Sequence, residues 1–188
     1  MARRIAIVMA LMMMAAAGFA QAPGGNIYVG YALNHASAEP GGSSGNLNGW
    51  EVSGEAKVAP FVGIVGDLGA QYGTLKIPAS YAFGTVALPA QTRVVTYMAG
   101  PRVSVSVGKF RPFAHALIGA AHLHQDLSQY AAAYTHGETC VSDAIGGGVD
   151  YKILPFIGVR VQGDALQTRF HGQTQNDARI TTGVVFRF

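Results

Sequence analysis

The stretch ITTGVVFRF, residues 180–188, decides the reading of the whole chain. Taken two by two, Ile180, Thr182, Val184, Phe186 and Phe188 fall on one face, and Arg179, Thr181, Gly183, Val185 and Arg187 on the other. A helix would scatter these side chains around its circumference, and the β-branched residues favour a strand. One face of that strand meets something apolar while the other carries two cations. A terminal aromatic also implies an end that is docked rather than frayed.

Export is written at the opposite end. MARRIAIVMALMMMAAAGFAQA pairs Arg3 and Arg4 with an apolar run from Ile5 to Ala17 and then small residues, the pattern of a signal peptide over residues 1–22. Cleavage is expected after Ala20 or after Ala22, with Pro23 disfavouring the second. The run is shorter than the ~18 to 20 residues of a spanning helix. The 13 basic residues less Arg3 and Arg4 leave 11 against 10 acidic ones, so the pI near 9.1 is no argument for nucleic acid. The single cysteine, Cys140, allows no intramolecular disulfide and is expected in a loop. Charged residues are only 12% of the chain, a membrane-like value, yet no later stretch reaches helical spanning length. A closed barrel is the remaining way across a bilayer, and its strands show alternation instead of apolar runs.

Alternation recurs along residues 23–188. NIYVGYALN sets Ile27, Val29, Tyr31 and Leu33 against Tyr28, Gly30, Ala32 and Asn34. GWEVSGEAK sets Trp50, Val52 and Ala56 against Glu51, Ser53, Glu55 and Lys57. Later segments put Val62, Ile64, Leu68 and Tyr72 outward with Asp67 and Gln71 inward, and Val95, Tyr97, Val103 and Val105 outward with Thr96, Arg102 and Ser104 inward. Ile145, Val149 and Tyr151 oppose Gly146, Gly148 and Asp150, and Ile157, Val159 and Val161 oppose Arg160, Gln162 and Asp164. FAHALIGAAHLHQ alternates poorly, and its register stays open. The signatures APFVG, RPFAH and LPFIG place Pro60, Pro112 and Pro155 in three short turns on one rim. Longer connections are expected at 35–48, about 74–91, about 125–142 and 171–177. The expected fold is all-β: an eight-stranded antiparallel transmembrane up-and-down β-barrel with three short periplasmic turns and four longer outer loops.

In that frame the lumen collects Glu51, Glu55, Asp67, Asp150 and Asp164 with Lys57, Arg102, Arg160, Arg179 and Arg187. Equal numbers of acids and bases suit mutual pairing within a tube just wide enough for side chains, more than an ion-selective pore. Arg102, Asp150, Arg160 and Asp164 lie mid-strand, where pairing is favoured over wet rims. Gly146, Gly147 and Gly148 leave room for large inward side chains on facing strands.

The signal peptide, the eight alternating segments, GGGVD with GVRVQGDALQTRF, and the terminal TTGVVFRF together resemble the small outer-membrane β-barrel family related to the OmpA transmembrane domain and the opacity proteins. The resemblance implies a bacterial outer-membrane location, a monomer, contact with lipid bilayer and lipopolysaccharide, and insertion by the outer-membrane assembly machinery through a last strand ending in Phe186 and Phe188. No peptidoglycan-binding domain follows, so no cell-wall tether is implied. The function expected is structural or surface-interacting, without catalysis, cofactor or metal. A narrow diffusion channel is the alternative. A lipid hydrolase using His122, His124, Asp126 and Ser128 has only crowding in HLHQDLS to support it. Lys76, Arg93 and Arg169 are candidates to meet lipopolysaccharide phosphates.

Overall fold

A computed structural model describes residues 24–36, 45–81, 84–126, 135–170 and 173–188, with side chains omitted at 36, 76–89, 125–126, 135–136, 170 and 173–175. The expected signal peptide lies outside the described residues. Eight strands follow in chain order: β1 (Gly25–Ala36), β2 (Gly45–Lys57), β3 (Val62–Tyr81), β4 (Gly84–Ser104), β5 (Phe110–Asp126), β6 (Thr135–Lys152), β7 (Ile157–Phe170) and β8 (Gln173–Arg187). Each pairs antiparallel with the next, and β8 closes on β1. Gly25 and Phe188 exchange two backbone hydrogen bonds, of 2.9 and 3.2 Å, so the closing residue is held by the first strand.

The register fixes the shape. The Lys57 amide donates to the Gly24 carbonyl, and the pairing then runs through Gly63, Arg102, His115, Gly146, Asp164 and Arg179 to Asn34. A path across the strands therefore returns to β1 ten residues from where it left. That stagger belongs with strands tilted about 35–45° to the barrel axis.

Alternation sorts the side chains as the sequence implies. Val161 is 58% exposed, Ile180 59%, Ile118 66% and Ile145 69%, whereas Arg160 and Arg179 are wholly buried. Apolar groups face out and ions face in, the inverse of a soluble sandwich. Tyr31, Trp50 and Tyr97 flank the exposed aliphatic belt on one side, and Phe61, Phe110, Phe156 and Phe188 on the other. Beyond the tyrosines the outer wall turns polar at Asp143, Gln167 and Asn176, with Gln167 Nε2 donating to Asn176 Oδ1 at 3.0 Å.

Two of the three proline turns are equivalent. The Val62 amide donates to the Ala59 carbonyl across Pro60-Phe61, and the Ile157 amide to the Leu154 carbonyl across Pro155-Phe156. Proline occupies the second position of each turn, where its fixed φ is already right. Pro112 is not in a turn. Residues Gly108-Lys109 make that hairpin, with Gly108 at φ +61° and Val107 and Phe110 exchanging both backbone bonds. Pro112 lies within β5, where its carbonyl accepts from the Val105 amide at 3.1 Å; it has no N–H to return, and β4 ends there.

The far rim also departs from expectation. Much of 74–91 is strand, because β3 and β4 pair as far as Tyr81↔Gly84. Only residues 171–172 separate β7 from β8, and β6 starts at Thr135, so 171–177 and 125–142 are largely paired backbone as well. Cys140 is a buried residue of β6, not a loop residue. β5 acquires a register: Arg111, Phe113, His115, Leu117, Ala121 and Leu123 point in, and Pro112, Ala114, Ala116, Ile118, His122 and His124 point out.

Candidate functional site

Inward side chains of all eight strands converge in two connected tiers. Near the rim that holds the termini, Glu55 accepts from Arg111 (2.7 Å), Arg102 (3.4 Å) and Asn26 (2.7 Å), while Arg111 also donates to Ser104 at 2.8 Å. Beside it Arg160 grips Asp150 with Nε at 2.6 Å and Nη2 at 3.1 Å, the bidentate fork for which a guanidinium is shaped. Its Nη2 also reaches Asn26 Oδ1 at 3.1 Å, and Arg187 stands 3.3 Å from the same aspartate. Aromatic faces complete the tier: Arg102 lies over Phe113, and Arg160 between Tyr28 and Phe113, at 4.4 to 4.9 Å.

Higher in the tube Arg179 serves three carboxylates. Its Nε and Nη2 donate to Asp164 Oδ2 at 3.0 and 2.8 Å, Nη1 to Asp67 at 3.2 Å, and Glu51 lies 3.3 Å from Nε. Gln162 ties Glu51 to Asp164 through bonds of 3.1 and 2.9 Å. His115 joins the tiers, with Nε2 2.9 Å from Asp164 and Nδ1 3.2 Å from an Arg102 nitrogen. Since a guanidinium only donates, Nδ1 is the acceptor and Nε2 carries the proton.

Glu51, Glu55, Asp67, Arg102, Asp150, Arg160, Asp164 and Arg179 are thus all buried in one connected lumen cluster. Lys57 stands apart at the rim, donating to the Pro60 carbonyl at 2.9 Å. Sequence reasoning missed Arg111, His115 and Phe113, all on β5. Gly148 shows why glycine is needed opposite them: a Cβ there would meet the Val161 carbonyl and lie 2.9 Å from the Phe113 ring. The cluster occupies part of the cross-section only. Val65, Met98, Leu117, Ala144 and Leu166 form a dry apolar patch against it.

The outer-wall candidates separate. His122 and His124 face outward, with His122 Nδ1 2.7 Å from Thr139 Oγ1. Ser128 and the side chain of Asp126 fall outside the described residues, so no hydrolase triad is assembled by what is described. Arg93 on β4 and Arg169 on β7 are three strands apart, and the Lys76 side chain is not described. Those three cations do not make one site. Among the described residues no group of three metal-ligating side chains occurs.

No family model and no curated protein matches the sequence. Solved structures match the fold. The neisserial surface protein NspA aligns with TM-score 0.66 and 12% identity over 87% of this chain and 97% of its own. Ail, the attachment invasion locus protein of Yersinia pestis, in complex with the heparin analogue sucrose octasulfate, aligns with TM-score 0.60 and 13% identity over 88% and 98%. A major outer membrane protein from Thermus thermophilus gives 0.57 and 9% over 87% and 99%. The fold is that of small outer-membrane β-barrels.

Proposed function

We propose that the mature chain, freed of residues 1–22, is a monomeric integral barrel of the bacterial outer membrane, with a structural or surface-interacting role and no catalysis. The observation that carries this reading is the pairing of a buried ionic lumen with an exposed aliphatic wall. Hydrocarbon is the medium in which such a wall is stable, and a closed sheet leaves no unpaired edge within it. Phe186 and Phe188 supply the assembly signal, and lipopolysaccharide is the surrounding outer-leaflet lipid. The lumen cluster acts as a plug and a strut, with the guanidinium groups of Arg102, Arg111, Arg160, Arg179 and Arg187 neutralising the carboxylates of facing strands.

That plug supports a structural barrel over a diffusion channel. Arg102, Arg160 and Phe113 stack together inside the tube, and all three are buried. Planar-bilayer recording with purified chain is the test. Baseline without unit conductance steps supports a structural barrel, and stable ion-conducting steps would establish the channel instead. Ail is named an attachment invasion locus protein, and a surface contact of that kind would fall here to the connections opposite the proline turns.

A further inference from the structure

We infer that the outer wall of β3, β4 and β5 carries a binding site for a phosphorylated lipid, with Arg93, His122 and His124 gripping the phosphate. The inference rests on the membrane-spanning reading and locates a lipid contact within it. Register places the residues side by side: Arg93 is opposite Tyr72 on one flank and His124 on the other, and Val95 is opposite His122. All five point outward.

Two clefts open on this wall. One of 460 Å³ is lined by Tyr72, Thr74, Gln91, Arg93 and His124 among others; the second, of 340 Å³, by Arg93, Val95, Tyr97, His122 and His124. Arg93 and His124 line both, so the clefts adjoin at these two side chains. The Arg93 guanidinium is held over the Tyr72 ring at 5.3 Å, and Thr139 fixes the His122 imidazole. Both anchors reduce the freedom a ligand would otherwise have to freeze out.

The chemistry of the ligand follows from polarity along the strand. Below Arg93 and the two imidazoles the wall continues through Val95 and Tyr97 to Val103, with Ile118 beside it, all outward and apolar. Above them it becomes polar at Thr74 and Gln91. Among the described side chains lining the two clefts there is no carboxylate. A site cationic above and greasy below fits an anionic head on an acyl chain, and a guanidinium flanked by imidazoles suits phosphate oxygens. On the membrane-spanning reading, the wall above the aliphatic belt meets the headgroup layer, where lipid phosphates lie. Free phosphate would have no use for the Val95 and Tyr97 wall.

The test uses the full mature chain in phospholipid nanodiscs, titrated with lipopolysaccharide, with the same lipopolysaccharide stripped of its lipid phosphates, and with inorganic phosphate alone. The triple variant Arg93→Gln, His122→Gln, His124→Gln is expected to lose at least roughly tenfold in affinity for the phosphorylated lipid, the loss set by one to two charge-assisted hydrogen bonds. Wild type should bind the stripped lipid as weakly as the variant does, and Arg169→Gln on the opposite wall should bind like wild type. Equal affinity of variant and wild type, or of stripped and intact lipid for wild type, would overturn the site. Inorganic phosphate binding as tightly as the lipid would overturn the lipid assignment. If the triple variant fails to fold, Arg93→Gln and the stripped lipid on wild type still decide. Failure of the barrel reading is separately visible, as wild type that migrates identically boiled and unboiled in detergent electrophoresis.

Discussion

Arg179 of β8 stands directly opposite Asp164 of β7 in the sheet register and holds it with two hydrogen bonds of 3.0 and 2.8 Å, while also compensating Asp67 and Glu51. Both side chains are wholly removed from solvent. One cation among three carboxylates makes this position unusually sensitive. Arg179→Met leaves them uncompensated and is expected to lower stability by about 3–5 kcal/mol. The check is the urea midpoint for loss of the unboiled electrophoretic form. Arg179→Lys, which keeps the charge but not the fork, should fall between the two.

Stacking as well as charge holds the rim tier together. Replacing Arg102, Arg160 and Phe113 together by Ala removes the guanidinium–ring sandwich and should create measurable ion conductance in planar bilayers where wild type is expected to show none. Silent bilayers with the folded triple variant would place the constriction elsewhere in the lumen.

At Gly148 the absence of a Cβ lets β6 lie against the Val161 carbonyl and the Phe113 ring. Gly148→Val overpacks that approach and is expected to cost about 1–3 kcal/mol in the same urea assay. At Gly163 an added Cβ meets nothing within 4 Å, so Gly163→Val should be tolerated. Equal losses at the two positions would mean that lumen crowding is not the cause.

On the outer wall, Val161→Arg puts a charge into hydrocarbon and should destabilise the barrel in lipid by roughly 2–4 kcal/mol. Asn176→Arg, beyond the apolar belt, should cost little. A penalty that ignores this difference in depth would argue against the placement of the belt.

The eight-strand frame was readable because period-two alternation survives wherever one face meets lipid and the other meets ions. Ile27, Val29, Tyr31 and Leu33 on β1, and Ile180 through Phe188 on β8, show it cleanly. The fifth strand failed for a physical reason: its inward Leu117, Ala121 and Leu123 belong to apolar patches of the lumen, so both faces look greasy. Arg111, Phe113 and His115 were hidden with it, and with them the link between the two tiers. Pro112 misled because a proline beside a Phe resembles the Pro60 and Pro155 turns, whereas here it ends a ladder. The far rim was read as loop because Gly, Pro and Ser break up 74–91, although β3 and β4 keep pairing through it. Which acid meets which base in the lumen depends on the stagger around the barrel, and no single strand contains that information.

Inside-out polarity is the physical basis of the fold, and spin labels read it directly. In a Cys140→Ser background reconstituted in lipid vesicles, labels are attached at Ile118→Cys, Val161→Cys and Val184→Cys, and their collisions with oxygen, which partitions into lipid, are compared with those of a water-soluble nickel chelate. All three positions are expected to collide readily with oxygen and to be shielded from nickel. Labels at these positions that meet nickel freely and oxygen poorly would place the aliphatic wall in water and contradict the membrane-spanning barrel.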